Sequence, residues 1–317
     1  MPTVLVFPGQ GSQKVGMGGA WAAESPAAAR TLEEADEVLG EPLSRLIREG
    51  PEEDLTLTAN TQPAILAVSV AIHRALAERG VDLAPVAVAG HSLGEYSALV
   101  AAGALDFATA LALVRRRGEL MQRAVPPGQG AMAAILGLDR EAVSALVADA
   151  AAAGDGVVSV ANDNSPGQTV IAGDAAAVGR AVALATERGA RRATLLPVSA
   201  PFHSPLMAPA REGMTPHLAA AEVRDAAVPV VVNVDARAVT RGDELRDALV
   251  RQIDSPVRWV ESIELAARDF AADTFVEIGP GSVLSGLIRR IVPGVRTVSL
   301  GEPAGLEKLA LDEPGRV

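Results

Sequence analysis

The stretch GHSLG at residues 90–94 lies between the apolar run VAVA and the helix-like segment EYSALVAAGAL. Glycines on both sides of Ser92 let a strand turn sharply into a helix without side-chain clashes. The serine is then pushed to the tip of the turn with its hydroxyl exposed. The backbone N–H of Leu93, at the start of the following helix, can donate to a developing oxyanion. This pattern commits the segment to strand, tight turn and helix, and makes Ser92 a candidate nucleophile. Its bland counterpart is a tight turn with an incidental serine.

The flanking sequence supplies the sheet that such a turn needs. Val4–Phe7 and Val86–Ala89 read as short buried strands, while 26–39, 63–79, 93–103 and 106–125 carry helical signals. Pro63 is expected at a helix start, and Asp106 as a cap. Strands alternating with helices predict a mainly parallel, doubly wound α/β sheet. The rhythm changes after PPGQG at 126–130. Strands are expected at 131–136, 157–162, 168–173 and 191–198, with helices at 139–153 and 174–188. That order, βαββαβ, is the ferredoxin-like unit, read here as an insertion at residues 128–198. The larger unit is residues 1–127 and 199–317, completed by strands near 229–234 and 274–278 and a helix near 282–291. The tail from Gly301, with mixed charge and two prolines, is expected to be loosely held.

Composition narrows the function classes. The chain has 317 residues, 49% of them hydrophobic, enough for a sizeable core. The net charge of -11 argues against general nucleic-acid binding. No uncharged apolar stretch reaches the length of a membrane span. The start lacks the basic region of a secretory signal, so a soluble cytoplasmic protein is expected. With no cysteine, neither disulfides nor a thiolate nucleophile can operate. No His, Asp and Glu cluster has metal-ligand spacing. FPGQGSQKVG invites a phosphate-loop reading, but Lys14 stands where a dinucleotide fingerprint needs glycine, and Gly16 is followed by Met17 rather than lysine. The loop is better used to place Gln10 and its backbone N–H. EIGPGS at 277–282 reads as a structural turn.

A nucleophilic serine needs a base, and the chain has only four histidines. His73 and His217 lie in polar parts of helical segments and read as surface residues. His91, inside the turn, reads as a packing residue. His203 falls where the inserted unit hands back to the larger one, a junction that borders a cleft, and is the candidate base. On the helix from Asp106, residues Phe107, Ala110, Leu111, Val114, Gly118, Met121 and Val125 form one apolar stripe. Arg117 falls inside that stripe, whereas Arg115 and Arg116 read as solvated charges. A buried arginine must be paired, and its own helical face offers no acid. Its partner is either a carboxylate from another segment or a carboxylate of the substrate, which the planar guanidinium fork suits.

These residues occur within segments that resemble the malonyl-CoA:acyl carrier protein transacylase family. They are FPGQGSQ, NTQPAIL at 60–66, GHSLGEYSAL at 90–99, RRRGELMQ at 115–122, GAMAAILGL at 130–138, NDNSPGQTVIAG at 162–173, PVSAPFHSPLM at 197–207, RQIDSPVRW at 251–259 and EIGPGSVLSGLIRRI at 277–291. The matches run in order across nearly the whole chain. The resemblance implies an α/β-hydrolase-like core with a ferredoxin-like subdomain. It implies ping-pong transfer of a malonyl group from malonyl-CoA to the phosphopantetheine thiol of acyl carrier protein, for fatty-acid or polyketide synthesis, by a monomer without cofactor or metal. Ser92 matches the family's nucleophile, His203 its base and Arg117 the arginine that holds the malonyl carboxylate. Gln10 and Leu93 match the oxyanion-hole positions. Gln252 matches the position whose backbone carbonyl orients the histidine, and Gln62 a glutamine of the acyl pocket. Asn162 and Asn164 match asparagines near the coenzyme A arm. Phe202, before the histidine, resembles malonyl-selective relatives. Arg188, Arg191, Arg192, Arg289 and Arg290 are candidates for docking an acidic carrier. A serine hydrolase sharing the same turn, and a non-catalytic carrier-binding scaffold, are the competing readings.

Overall fold

The computed structural model describes residues 1–198 and 200–310. Its strands are β1 (Thr3–Phe7), β2 (Ala87–Gly90), β3 (Gly130–Leu136), β4 (Val158–Ser165), β5 (Gln168–Asp174), β6 (Arg192–Leu195), β7 (Val230–Val232), β8 (Arg237–Val239), β9 (Val257–Arg258), β10 (Thr274–Glu277) and β11 (Arg296–Ser299). They build two sheets in a mixed α/β protein. The larger has the order β11-β10-β1-β2-β7-β8 and is parallel except for the edge pair β7–β8. Parallel strands covered by helices on both faces are apolar along their length, and Val4, Val6, Ala87, Val88 and Ala89 are fully buried. The chain leaves β1 toward β2 and β7 on one side, and β10 and β11 flank β1 on the other. The loops after β1, β2 and β7 therefore meet at the carboxyl edge, where open α/β sheets bind ligands.

The smaller sheet has the order β6-β3-β5-β4-β9, antiparallel except for the pair β4–β9. Its helices, Arg140–Ala152 and Ala175–Glu187, bury Val143, Leu146, Val178 and Ala181 against Ala133, Ile135 and Ile171. β9 comes from the far end of the chain and pairs Val257 with Asn162.

Three expectations need correction. Pro63 does not start a helix but lies inside Thr58–Glu78. A proline there removes the N–H that would bond to the carbonyl of residue 59. Arg115 supplies the missing donor, with its Nη1 2.6 Å from Ala59 O and 2.7 Å from Asn60 Oδ1. Arg115 is thus no solvated charge: its side chain is 16% exposed and pairs with Glu41. The described part of the tail is also held in place. Trp21 Nε1 donates to Leu300 O, Lys14 pairs with Glu302, and Gly305–Ala310 is helical. Residues 311–317, the rest of the expected loose tail, lie outside the described residues.

Candidate active site

The GHSLG turn closes because two positions cannot carry a side chain. A Cβ on Gly90 would stand 1.9 Å from the carbonyl carbon of Gly94, and one on Gly94 would stand 2.2 Å from Phe7 O. Ser92 itself has φ 54, in the left-handed region. That conformation costs roughly 1–3 kcal/mol in a non-glycine residue and persists only where the surroundings over-determine it. Here its N–H donates to Asn233 Oδ1 at 2.8 Å, and its carbonyl accepts from Gln252 Nε2 at 2.9 Å. Asn233 Nδ2 also donates to Gly90 O. The serine is clamped from the ends of β7 and of the helix Gly242–Gln252.

His203 meets that serine. Its Nε2 is 2.7 Å from Ser92 Oγ, and its Nδ1 is 3.0 Å from Gln252 O and 3.2 Å from Ser255 O. Two carbonyl acceptors at Nδ1 fix the proton there and leave the Nε2 lone pair for the serine hydroxyl. Burial, reinforced by the nearby Arg117 charge, pushes the His203 pKa down to about 3. The ring is therefore neutral near pH 7 and able to accept a proton. Among the described residues no carboxylate completes a triad; backbone carbonyls of Gln252 and Ser255 orient the imidazole instead.

Arg117 lies in the helix Phe107–Arg123 and is 1% exposed. Gly118 beside it lets this helix approach Thr58–Glu78 closely; a Cβ there would be 2.7 Å from Thr58 O. Arg117 Nη1 donates to Gln62 Oε1 at 2.7 Å, and Nη2 donates to Gln252 Oε1 at 2.8 Å and to Ser92 Oγ at 3.1 Å. All three acceptors are neutral. Among the described residues no carboxylate forms an ion pair with Arg117, and its Nε has no hydrogen-bond partner. Burial lowers its pKa, yet a guanidinium keeps its proton in proteins. A fixed cation with no direct ion-pair partner among the described residues thus stands against the serine hydroxyl.

The other expected positions gather around the same cleft, of about 180 Å³. Gln10 and Leu93 line it, and neither backbone N–H has a protein acceptor among the described residues. The Gln10 side chain is occupied, accepting from Thr58 Oγ1 at 2.7 Å. Gln62, Asn162, Asn164 and Phe202 also line the cleft, with Met121, Met132 and Val198 supplying apolar wall. His91 packs edge to face on Trp259, and its Nε2 meets Asn164 Oδ1 at 2.8 Å. His217 is exposed, but His73 is half-buried rather than a surface residue, and burial lowers its pKa. It sits away from the serine, beside Leu76 and Val81. Among the described residues no group of three or more His, Asp or Glu side chains is placed to hold a metal ion, and no helix is long and apolar enough to cross a membrane.

Sequence reasoning missed three groups: Asn233, the side-chain amide of Gln252, and Glu95. Glu95 is 2% exposed. Its Oε1 accepts from Asn233 N at 3.0 Å, and its Oε2 accepts from Gln252 Nε2. One signal was available: Glu95 is the lone charged residue of an otherwise apolar segment, 93–105. Burial raises its pKa from 4.5 to about 8. The raised Glu95 value gives stability that is complete below pH 4.5 and lost as pH rises through about 8. The depressed His203 value gives stability present above pH 6.5 and lost as pH falls toward about 3. Together they leave a plateau between pH 4.5 and 6.5. The Glu95 contribution is isolated by unfolding free energies of wild type minus Glu95→Gln. That difference should shrink by about 1.4 kcal/mol per pH unit between pH 4.5 and 8. A difference independent of pH would contradict it.

A serine hydroxyl hydrogen-bonded to a neutral imidazole at a strand–helix turn is the arrangement used by enzymes of the acyl-transfer class. A family model described as acyl transferase domain matches residues 4–305. The malonyl CoA-acyl carrier protein transacylase of Haemophilus influenzae is 51% identical over 95% of this chain and 95% of the relative. That of Escherichia coli K12 is 50% identical over 95% and 96%. Among solved structures, the acyl-carrier-protein S-malonyltransferase of Burkholderia pseudomallei superposes with TM-score 0.94 at 48% identity, covering 98% of this chain and 99% of that one. A malonyl-transacylase solved in complex with a type II PKS acyl-carrier protein superposes with TM-score 0.95 at 45% identity, covering 99% and 100%. The chain belongs to the acyl transferase family, within the group of malonyl CoA-acyl carrier protein transacylases.

Proposed function

We propose that the protein moves a malonyl group from malonyl-CoA to the phosphopantetheine thiol of acyl carrier protein through a malonyl-Ser92 ester. His203 Nε2 takes the Ser92 proton as Oγ attacks the thioester carbonyl. The backbone N–H groups of Gln10 and Leu93 hold the resulting oxyanion. Collapse expels the coenzyme A thiolate, which takes the proton back from His203. The carrier thiol then gives its proton to His203 and attacks the ester, and the departing Ser92 oxygen recovers a proton. One thioester is exchanged for another, so the cycle needs no ATP, metal or redox cofactor.

Arg117 holds the malonyl carboxylate, with Gln62 fixing one arm of its fork. Phe202 closes the acyl pocket, and Asn162 and Asn164 border the coenzyme A arm. The exposed arginines Arg188, Arg191, Arg192, Arg289 and Arg290 supply positive surface for an acidic carrier. We assign residues 1–127 and 199–317 to an α/β-hydrolase-like catalytic unit, and 128–198 to a ferredoxin-like subdomain. The first assignment is supported by the parallel sheet with Ser92 at its carboxyl edge, the second by the antiparallel order β6-β3-β5-β4.

The observation that carries this reading is the pairing of an uncompensated guanidinium with the activated serine, 3.1 Å apart. A simple esterase has no use for it, whereas an acyl group ending in a carboxylate does. The test is intact-mass spectrometry. Malonyl-CoA alone should leave a malonyl adduct on the protein, and adding acyl carrier protein should clear it with appearance of malonyl-carrier. Release of free malonate at the same rate with and without carrier would instead mark a hydrolase.

A further inference from the structure

Arg117 keeps its charge for a substrate only if the groups around it stay neutral acceptors, and one of these, the Gln252 amide, could face either way. An amide turned by half a revolution would aim Nε2 rather than Oε1 at the guanidinium, donor against donor. Something must choose between the two orientations. Gln252 Nε2 points at two oxygens, Ser92 O at 2.9 Å and Glu95 Oε2, while its Oε1 accepts from Arg117 at 2.8 Å. Of the two oxygens, the Ser92 carbonyl is fixed backbone. Glu95 is held by the Asn233 backbone N–H at its other oxygen. Ionised, as it is above about pH 8, the Glu95 carboxylate accepts at both ends, one toward each neighbour.

We propose that Glu95 is a positioning residue that locks the Gln252 amide with Oε1 toward Arg117, and so sets the discrimination between acyl groups with and without a carboxylate. This rests on the reading of Arg117 given above. Glutamine at position 95 has nearly the same shape but only one accepting oxygen. If that oxygen keeps the immobile Asn233 N–H, the NH2 end of the new residue faces Gln252. Turning the Gln252 amide would set Oε1 against Ser92 O and Nε2 against Arg117, so the amide is pushed aside instead, and Arg117 Nη2 loses its close acceptor. The displaced amide weakens its bond to Ser92 O, but the Ser92 N–H keeps Asn233 Oδ1 and the Gln252 backbone carbonyl still orients His203. The chemistry at Ser92 should therefore survive while the grip on a carboxylate weakens.

The experiment measures kcat/KM for malonyl-CoA and acetyl-CoA, at a pH above about 8 where Glu95 is ionised, in wild type, Glu95→Gln, Arg117→Ala and the double variant. Glu95→Gln should lower the malonyl-to-acetyl ratio about tenfold or more through a higher KM for malonyl-CoA, with acetyl-CoA within about twofold of wild type. In the Arg117→Ala background the same change should leave the ratio unmoved, because its target is gone. An unchanged ratio in folded Glu95→Gln, or an equal fall for both substrates, overturns the proposal. If Arg117→Ala alone leaves the ratio intact, the reading of Arg117 has failed instead. Gln252→Met keeps the carbonyl for His203 and removes the amide, so it should reproduce the ratio change even if Glu95→Gln does not fold. No ratio change in Gln252→Met would also overturn the proposal.

Discussion

Alanine at position 92 is expected to abolish the covalent malonyl adduct and to reduce malonyl transfer by about 10⁶-fold, with the fold intact. The contacts that hold this strained residue are made by its backbone, through Asn233 Oδ1 and Gln252 Nε2. A methyl side chain leaves both in place. What disappears is the oxygen shared by His203 and Arg117. Arg117 keeps its bonds to Gln62 and Gln252, so no charge is stranded. The remaining activity would come from the oxyanion donors and substrate binding alone. Intact-mass spectrometry after exposure to malonyl-CoA reads the adduct, and circular dichroism reads the fold. A malonylated Ser92→Ala protein would remove Ser92 from the role of nucleophile.

The strand–turn–helix around Ser92 was legible because its determinants are local. Glycines at 90 and 94, an apolar run before and a helix after lie within sixteen residues of one another. The alternation of β1, β2 and the intervening helices was readable for the same reason, as was the βαββαβ order between 130 and 195. The inward direction of Arg117 followed from helical periodicity. Misreadings arose where a distant segment decides. Nothing near Pro63 says that an arginine fifty-two residues later will replace its missing donor. The same blindness made Arg115 look solvated. β9 is two residues long and exists only because β4 offers it an edge, so no periodicity announces it.

Within the candidate site, the sequence gives side-chain types but not their company. His203 was singled out by elimination among four histidines and by its place at a junction. Its partners Gln252 and Ser255 act through backbone carbonyls, which any residue type could supply; only the family resemblance pointed to Gln252. Asn233 and Glu95 reach each other across 138 positions. Their pairing depends on β2 and β7 being neighbours in the sheet, a fact of topology. Glu95 could have been suspected by the logic applied to Arg117, since a charge in an apolar helix must be explained by what it touches. What it touches is two amide donors, so it serves the site without giving Arg117 a direct ion pair.

Replacing Arg117 by alanine is expected to lower kcat/KM for malonyl-CoA by roughly 30- to several-thousand-fold. Removing one partner of a buried charge pair costs about 2–5 kcal/mol, at about 1.4 kcal/mol per decade of rate. Acetyl-CoA carries no carboxylate and should lose little. Removing the unpaired cation from the pocket also favours an uncharged acyl group. The preference for malonyl over acetyl should level or reverse, while Ser92 remains acylatable and His203 keeps its bonds to Gln252 and Ser255. The variant loses donors to Gln62 and Gln252 as well, so its thermal unfolding must be measured beside its kinetics. An equal fall for both substrates in a folded protein would make Arg117 a structural strut between the helices 58–78 and 107–123 and the end of 242–252. The charge at the serine would then need an explanation other than the substrate's carboxylate.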